Sequence, residues 1–526
     1  MIMLKKRIIE LDKNPLTWVL LLALGIRLYA CLTTYIVNPD GVHYIHQARA
    51  IYYNDWDSLT NCHLKYLSIL PFLIALAFGV FRDWIIAGRF VSLFFGFATL
   101  IPLYFILRRY LDKTLSVITL LVYALIPVFV SRSAGIVRDP VFWFFLCAGM
   151  LMFVRHRDED IKGRYRLDLF LSCFCFLVAM WARMEGILFI AVSGFYLLIA
   201  KTDRKKERLF FFFAPILLIG LVGLAYSFAV GGTGVNYHRM SEIRDELTSF
   251  TSNYETVRAQ LKTITSQGFE YVDEFIRQVR KIVWLIPFSM IFDTILEGFY
   301  YPYALIFLLG FIGIRRRVSQ NRRLGYFLWL SFFSIVILYI HLLRTWLIYH
   351  RFLAILIFPS CLVIGFGIDN IIQFMRKKFN LKLQLAIGVV VAFILLFGLP
   401  KNLQPNEKDK VIYRQAGEII AQQKMPDQVA RITAAYSTVY EWVFFYAHLD
   451  YPAPLCAKPL SGEIAGAYDQ FLATLKKDKV RYVLYEEKEW PLEQIDLMNS
   501  PYQQDFQVLG KWWHKDTGDL ILLGLK

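Results

Sequence analysis

Two aspartates stand where long apolar runs meet polar sequence, and their position suits them to acid–base chemistry. Asp40 follows the first apolar run, in NPDGVHYIHQARAIYYNDW, and Asp139 directly precedes another run, in VRDPVFWFFL. Ionisable residues at the mouth of a membrane span are functional candidates, because placing a charge there is costly. Both also have a structural interpretation: Asp40 as the N-cap of a helix that starts at Asp-Gly, and Asp139 as a helix start with Pro at the first helical position. Two carboxylates at the outer ends of different spans can converge on one site, so we predict that both are catalytic.

Cationic and polar side chains at the same predicted membrane surface are suited to binding a phosphate group. Arginine binds oxyanions through two parallel hydrogen bonds, and lysine supplies a point charge. Some of these residues can instead be interfacial side chains or members of structural Arg–Glu pairs. The candidate substrate-binding residues are Tyr44, Lys65, Arg138, Arg183, Glu185, His350 and Arg351. A base together with several cations at an outer membrane surface indicates group transfer from a lipid-linked phosphate.

The elements that must position these residues are membrane helices. Of the 526 residues, 57% are hydrophobic, against about 45–50% in soluble domains. Apolar runs of bilayer-spanning length recur, and helices satisfy their own backbone groups in lipid. The first run is too long for a signal peptide, and no small-residue cleavage site follows it. The fold class that we expect is an all-α polytopic membrane bundle of about 11–13 transmembrane helices, with a small α/β domain at the C-terminus.

Six basic clusters set the predicted orientation and account for much of the net charge of +16. They lie at residues 5–7, 108–113, 155–166, 201–208, 315–323 and 376–382. Short basic loops of this kind are typical of the cytoplasmic side of a membrane, so nucleic-acid binding is not indicated. The short run at 66–81 is assigned to the outer interface, because a second crossing there would invert every later loop. We predict a multi-pass protein of the plasma (inner) membrane with a cytoplasmic N-terminus and a periplasmic or extracellular C-terminus.

Two domains are predicted along the chain. Residues 1–400 form the transmembrane domain, with an outer loop at 37–83 that carries interfacial helices and an outer insert at 231–298. Residues 401–526 lose the membrane-length runs and gain alternating strand patterns, which end in a hairpin around HKDTG. Helical stretches at 411–423 and 466–477 complete this outer α/β domain. The cysteines show no metal-ligand spacing, and a Cys62–Cys456 bridge is possible.

The order of these landmarks resembles the GT-C class of multi-span glycosyltransferases, specifically the protein O-mannosyltransferase and aminoarabinose–lipid A transferase group. The resemblance rests on Asp40 with Tyr44 four residues on, Lys65 before a Pro-containing run, AGRFVSLFFG, VRDPVFWFFL, WARMEGIL and HRFLAILIFPSCLVIGFG. It covers residues 15–200, and more weakly 345–370. This chain departs from many relatives in having Gly41 where they have Glu, and Tyr66-Leu67 where they have Pro-Pro.

The resemblance implies an inverting glycosyltransferase that moves a sugar from a polyprenyl-phosphate donor to a hydroxyl of a protein, lipid or glycan acceptor. Asp40 would be the general base that takes the hydroxyl proton. Lys65 and Arg351 would neutralise charge on the leaving phosphate, and Asp139 would position acceptor or sugar. The expected partners are this donor, the acceptor and membrane lipids. No cofactor is required, although a divalent metal remains an alternative.

Two other functions stay open at this point. A metal-dependent oligosaccharyltransferase-like enzyme is suggested by the DxD pattern of Asp55 and Asp57, and by KWWHKD, which partly matches that family's Trp-Trp-Asp signature. However, Trp512 and Trp513 fall in the predicted hairpin and are followed by His. A transporter or flippase for a lipid-linked sugar would show inverted repeats and charges in the middle of its spans. The sequence shows neither feature.

Overall fold

A computed structural model describes most of the chain. The described residues are 14–59, 62, 64, 66–157, 164–200, 204–230, 238–264, 270–425, 427–434, 438–456, 467–490 and 495–526. Helices dominate, and one small sheet lies near the C-terminus. The predicted fold class, a helical membrane protein with a small C-terminal α/β region, is therefore confirmed.

Five segments of the described chain are long and apolar enough to cross a membrane. They are Pro15–Leu32, Trp84–Arg108, Arg164–Ala182, Arg322–Thr345 and Leu383–Asn402. Three further spans are formed if each of three bent helix pairs counts as one: Lys113–Leu125 with Pro127–Ala134, Tyr271–Gly298 with Tyr301–Leu309, and His350–Ile357 with Cys361–Lys378. By length and composition, the described residues thus contain five to eight candidate spans, and shorter apolar helices such as Gly186–Ile199 are not in that number. The predicted count of eleven to thirteen stays a prediction. The sequence count used hydrophobic runs, whereas many of these runs fold as short or bent helices.

The run at 66–81 illustrates the difference. It forms the helix Ile69–Phe81 of 13 residues, which is about 20 Å long at 1.5 Å per residue. That is shorter than a hydrocarbon core of roughly 30 Å, in keeping with the predicted position at the interface. Its end is set by Arg82, which adopts a left-handed conformation with φ of 55°.

The remaining elements complete the bounds of the secondary structure. The other α-helices are Pro39–Tyr52, Asp139–Arg155, Gly186–Ile199, Lys205–Val230, His238–Ile264, Glu270–Ile282, Ile286–Gly298, Ile314–Gln320, Val411–Gln422, Thr438–Ala447, Tyr468–Lys477 and Tyr502–Asp505. The segment Trp84–Arg108 consists of helices Trp84–Ala98 and Leu100–Arg108. Short 3-10 helices lie at Trp56–Leu59, Val283–Leu285, Arg322–Leu324, His350–Leu353 and Lys408–Lys410. The insert predicted at 231–298 is thus largely helical where it is described.

By packing, the described residues form two compact units. The first draws on the described residues within 1–27, 94–133 and 138–404, and the second on those within 28–93, 134–137 and 405–526. The C-terminal segment of the second unit begins close to the boundary predicted at residue 401. The predicted functional division of the chain at that boundary stays a prediction.

Close helix packing defines the first unit. Gly310 and Gly367 allow the helices Tyr301–Leu309 and Cys361–Lys378 to touch through their backbones. A methyl group on either glycine would lie 1.9 Å from a carbonyl oxygen of the other helix, that of Val363 or Ile306. Buried hydroxyls add hydrogen bonds between helices, as when Tyr303 donates to the carbonyl of Ile394 at 2.7 Å.

The second unit contains the sheet, in the order β1-β2-β4-β3. Its strands are β1 (Ile432–Ala434), β2 (Tyr482–Glu486), β3 (Phe506–His514) and β4 (Gly518–Leu525). β1 and β2 are parallel, whereas β4 is antiparallel to both β2 and β3. The hairpin predicted around HKDTG is the β3–β4 connection, where Gly518 takes a positive φ of 67°. The two predicted helical stretches are present as Val411–Gln422 and Tyr468–Lys477.

A disulfide joins Cys62 to Cys456 in this second unit. It confirms the bridge that the sequence left possible. β2 is buried along its whole length, whereas β3, at the edge of the sheet, is buried only at its end residues Phe506 and His514. Phe471 and Leu475 of the helix Tyr468–Lys477 pack against Val483 and Leu523 to form the core.

Candidate active site

A buried cluster of charges surrounds Asp139 in the first unit. Asp139 begins the helix Asp139–Arg155 and is 1% exposed. Its Oδ1 accepts a hydrogen bond from Nη1 of Arg183 at 2.6 Å. Nη2 of the same guanidinium lies 2.5 Å from Oε1 of Glu185, and Nε donates to that oxygen at 3.2 Å. Three of the predicted site residues therefore meet, with one arginine held between two carboxylates.

A tight turn places Arg183 and Glu185 next to each other. The turn joins the helices Arg164–Ala182 and Gly186–Ile199. Gly186 is required there, because a methyl group at this position would lie 2.5 Å from the backbone nitrogen of Met180. The WARMEG motif is thus a compact helix–helix connection whose two charged side chains face the start of the Asp139 helix.

The electrostatics of the turn favour ionised carboxylates. Burial alone would raise the pKa of Glu185, but the charge and hydrogen bonds of Arg183, aided by Arg138, outweigh burial and lower that pKa to about 2. Glu185 is therefore charged at neutral pH. Because Arg183 is paired with two carboxylates, the Arg–Glu structural pair that the sequence left open is present. A role of Arg183 or Glu185 in substrate binding stays a prediction.

Arg351 and His350 lie on the segment that follows the helix Gly325–Thr345. The guanidinium of Arg351 is 5.3 Å from the ring centre of Tyr349 and 5.7 Å from that of Phe352. The guanidinium of Arg183 lies 4.9 Å from the same Phe352 ring. Stacking on an aromatic ring fixes the plane of a guanidinium. Phe352 therefore brings Arg351 into the neighbourhood of the Asp139 cluster.

Two members of this neighbourhood were missed from the sequence. The first is Glu297, whose Oε2 lies 2.5 Å from the ring nitrogen Nε2 of His350. The second is Phe352, whose ring contacts both Arg183 and Arg351. Glu297 stands in ILEGFYYP, as an acid at the end of an apolar run. The same criterion that selected Asp40 and Asp139 would have found it. Phe352 carries no such signal, because an aromatic residue in a membrane helix is ordinary.

Asp40 lies in the second unit, in the first turn of the helix Pro39–Tyr52. The N-cap residue of this helix is Asn38, and not Asp40 as the structural interpretation of the sequence required. Asn38 pairs with the backbone of Ile136, accepting from its nitrogen at 2.9 Å and donating to its carbonyl at 3.2 Å. Asp40 is half-buried, and Tyr44, one turn on, is buried with 2% exposure. A carboxylate in a first turn is stabilised by the helix dipole.

The chain just before Asp40 is held by the helix Thr438–Ala447. The backbone nitrogen of Val37 donates to the hydroxyl of Tyr446 at 2.8 Å. The indole of Trp442 donates to the carbonyl of Val37 at 2.6 Å. Further along, the guanidinium of Arg49 donates to the carbonyls of His448 and Leu449. We call Val37 with Trp442 and Tyr446 the Val37 clamp. It fixes both main-chain polar groups of a residue that is 1% exposed.

Other predicted features fall outside these two places. Lys65 lies outside the described residues. Asp55, of the DxD pattern, accepts from the nitrogen and hydroxyl of Ser58 at 3.2 Å and 2.7 Å, so it supports the short helix Trp56–Leu59. Trp512 and Trp513 lie on β3, as the hairpin interpretation predicted. In the part of the chain that the structure describes, no three His, Cys, Asp or Glu side chains are grouped as metal ligands.

Comparisons with known proteins bear on both the fold and the family. The chain superposes on ArnT from Cupriavidus metallidurans, solved bound to undecaprenyl phosphate, with a TM-score of 0.63 and 12% identity, over 96% of this chain and 98% of that one. The apo form of ArnT gives a TM-score of 0.58. The oligosaccharyltransferase AglB from Archaeoglobus fulgidus, solved with an inhibitory peptide and a dolichol-phosphate, gives 0.50 at 12% identity, over 97% of this chain and 74% of that one. No curated protein matches the sequence.

The fold is therefore that of the GT-C membrane glycosyltransferases, with ArnT as a full-length structural counterpart. Within that class, residues 68–227 match the model of the dolichyl-phosphate-mannose-protein mannosyltransferase family. The family resemblance predicted from the landmarks is confirmed by these two findings. The matched range includes Asp139, Arg183 and Glu185, and Asp40 lies ahead of it.

Proposed function

We propose that this protein is an inverting glycosyltransferase that transfers a sugar from a polyprenyl-phosphate donor to an acceptor hydroxyl at the outer membrane surface. The observation that carries the proposal is the fold shared with ArnT over 96% of the chain, since ArnT was solved bound to undecaprenyl phosphate. The family match over residues 68–227 supports the same reaction class. A multi-pass membrane protein can reach a donor whose lipid tail stays in the bilayer.

In the proposed reaction, Asp40 is the general base. The acceptor oxygen forms its bond to the anomeric carbon as the bond from that carbon to the phosphate oxygen breaks. The hydroxyl proton passes to the Asp40 carboxylate, and the bonding electrons leave with the polyprenyl phosphate. Lys65 supplies positive charge for this leaving group. The fixed backbone ahead of Asp40 supports this assignment, because a general base must be held within hydrogen-bonding reach of the proton that it takes.

Asp139 is assigned a positioning role in this proposal. Its carboxylate is bonded to Arg183 at 2.6 Å in a buried site. This hydrogen bond already engages the carboxylate, and the same guanidinium also holds Glu185. The pair is better suited to fixing the turn at Gly186 and the orientation of Phe352 than to exchanging protons.

The test is donor turnover by the purified chain in lipid nanodiscs, with a panel of polyprenyl-phosphate sugars and membrane extracts as the source of acceptor. We expect one donor to release polyprenyl phosphate and label an acceptor, and Asp40→Asn to abolish both. Asp469→Asn is the matched control, because Asp469 is an exposed carboxylate in the first turn of another helix of the same unit. Absence of turnover with every donor, together with an unchanged envelope glycan profile in cells lacking the protein, would contradict the proposal. Loss of activity in excess chelator would favour the oligosaccharyltransferase-like alternative instead.

A further inference from the structure

A large open cavity lies in the first unit, between the helices Leu100–Arg108, Asp139–Arg155 and Arg164–Ala182. Its volume is about 730 Å³, which is within the range of roughly 300–1,000 Å³ that ligand pockets occupy. The two longer helices pack closely beside it. Ser172 donates to the carbonyl of Gly149 at 2.9 Å, and a methyl group on Gly149 would lie 2.5 Å from the ring of Phe176. One side of the cavity is therefore formed by two closely packed helices.

Positive charge is concentrated at one end of this cavity. One acidic residue, Asp168, and four arginines line the cavity. The arginines are Arg108, Arg109, Arg155 and Arg164. The carboxylate of Asp168 is 3.7 Å from the guanidinium of Arg155, and Arg108 donates to the carbonyl of Leu111 at 2.9 Å. The lining keeps a surplus of three positive charges. Arginine is the side chain best suited to a phosphate, because its planar fork can donate two parallel hydrogen bonds.

The other end of the cavity is apolar, and the positions along the helices show how the two ends are arranged. Arg108 and Arg155 end their helices, and Arg164 begins the next one. Ile101 and Phe105 line the cavity seven and three residues before Arg108, which is about 10 Å and 5 Å further along the helix axis. They are 46% and 51% exposed. Phe144 continues the apolar lining on the neighbouring helix, eleven residues before Arg155.

The change from a charged end to an apolar end gives the cavity the dimensions and polarity of a phospholipid. The charged end lies where helices end, at the level of a membrane surface, and the apolar lining descends about 10–16 Å into the helical region. A soluble anion would use the arginines and leave the exposed Ile101 and Phe105 without a role. Basic pockets between membrane helices are known to receive the headgroups of anionic lipids.

We propose that this cavity binds an anionic phospholipid of the membrane leaflet, with its phosphate at the arginines and an acyl chain along Ile101, Phe105 and Phe144. The site is distinct from the Asp139 cluster. Asp139 begins a 17-residue helix whose last residue, Arg155, lines the charged end of the cavity, so that end lies about 24 Å from Asp139 along the helix. The proposal does not depend on the proposed enzymatic function.

The test measures lipid binding to the purified full-length chain in a non-ionic detergent by native mass spectrometry. The probes are phosphatidylglycerol and phosphatidylcholine with identical acyl chains. We expect phosphatidylglycerol to bind at least several-fold more tightly than phosphatidylcholine. The double variant R108Q/R164Q should weaken phosphatidylglycerol binding about thirtyfold, since each surface arginine contributes roughly 1 kcal/mol to anionic-lipid attraction. Binding of phosphatidylcholine should change little.

The matched control is R315Q/R316Q, which removes two exposed arginines from another basic cluster of the same unit. It should leave phosphatidylglycerol binding within about twofold of the parent. Equal weakening by both double variants, or equal binding of the two lipids by the parent, would overturn the proposal. Equal affinity of glycerol phosphate and phosphatidylglycerol for the parent would also overturn it, because the apolar part of the cavity would then contribute nothing.

Two checks keep the outcome interpretable. The thermal unfolding midpoint of R108Q/R164Q shows whether the variant is folded, and the single variant R164Q, at an exposed position, replaces it if it is not. Ala148→Phe fills the cavity without changing its charge, since Ala148 lines it. We expect this variant to exclude both lipids. Unchanged phosphatidylglycerol binding by a folded Ala148→Phe variant would place the lipid elsewhere.

Discussion

The helices that begin at Pro39 and Asp139 start with the same two residue types in opposite order, and the structure supports them in different ways. Asp139 is held through its carboxylate, which is buried against Arg183. The segment that leads to Asp40 is held through the main chain of Val37, by Trp442 and Tyr446. Two similar sequence signals are therefore supported by two kinds of contact. At Asp139 the carboxylate itself makes the contact, whereas ahead of Asp40 the contact is made by the backbone of Val37.

The largest expected effect separates the two aspartates by activity. Asp40→Asn should reduce the rate of sugar transfer by about 10²- to 10⁴-fold, the usual contribution of a general base. Stability should change by less than about 1 kcal/mol, because the position is half-buried and the clamp is untouched. Donor turnover and the thermal unfolding midpoint of the same preparation measure the two quantities. A variant with normal turnover would show that Asp40 is not the base.

The second expected effect concerns stability. Asp139→Asn should destabilise the protein by about 1.5–3 kcal/mol, because it removes the negative charge from a buried hydrogen bond to Arg183, which keeps Glu185 as its other partner. In a double-mutant cycle with Arg183→Gln, the loss of stability in the double variant should be smaller than the sum of the two single losses by more than about 1 kcal/mol. Unfolding midpoints in detergent provide the measurement. If Asp139→Asn is as stable as the parent yet inactive, Asp139 takes part in the chemistry and the comparison fails.

The third expected effect is a difference in acid sensitivity between the two regions. Burial lowers the pKa of His448 from the ordinary 6.5 to about 4, and the backbone nitrogen of Ala430 donates to its Nε2 at 2.8 Å, so the folded ring is neutral. The unfolded chain takes up a proton first as the pH falls. This contribution to stability is therefore present above pH 6.5 and is lost progressively towards pH 4, by about 2 kcal/mol at pH 5.

The Glu185 pair should behave differently over the same range. Its pKa is lowered to about 2 from an ordinary 4.5, so its contribution is lost only as the pH falls from 4.5 towards 2. Between pH 7 and pH 5, hydrogen exchange should speed up around the Val37 clamp and stay constant at the turn of Arg183. His448→Gln should flatten the response. A uniform response in both regions would contradict the assignment.

The smallest expected effect tests the clamp itself. Tyr446→Phe removes the acceptor for the buried nitrogen of Val37 and should cost about 1–2 kcal/mol. Transfer activity should fall several-fold if the clamp positions Asp40. The matched control is Tyr468→Phe, which loses a hydrogen bond to Asp505 in the same unit without touching Val37. If the two variants lose activity equally, the effect comes from general destabilisation and the clamp has no positioning role.

The sequence predicted best those features that depend on neighbouring residues. The β3–β4 hairpin followed from alternation around a turn, and the helices near 411–422 and 468–477 followed from local periodicity. For Asp139 and Arg183, the sequence predicted only that both residues lie on the same side of the membrane. Their ion pair could not be predicted, because helix packing brings together residues 44 positions apart. The bend between Lys113–Leu125 and Pro127–Ala134 could not be predicted, since hydrophobicity does not reveal a bend. The Val37 clamp carried no signal, because its partners are ordinary aromatic residues.

The clamp also has a consequence for the order in which the protein matures. Val37 and its partner Trp442 are separated by 405 positions, and Cys62 and Cys456 by 394. At about 5–20 residues per second, a ribosome needs roughly 20–80 seconds to make the intervening chain. Throughout that time the segment before Asp40 is already synthesised but lacks the side chains that hold it. Asp40, the first candidate catalytic residue to be made, thus acquires this support only after Trp442 has been synthesised.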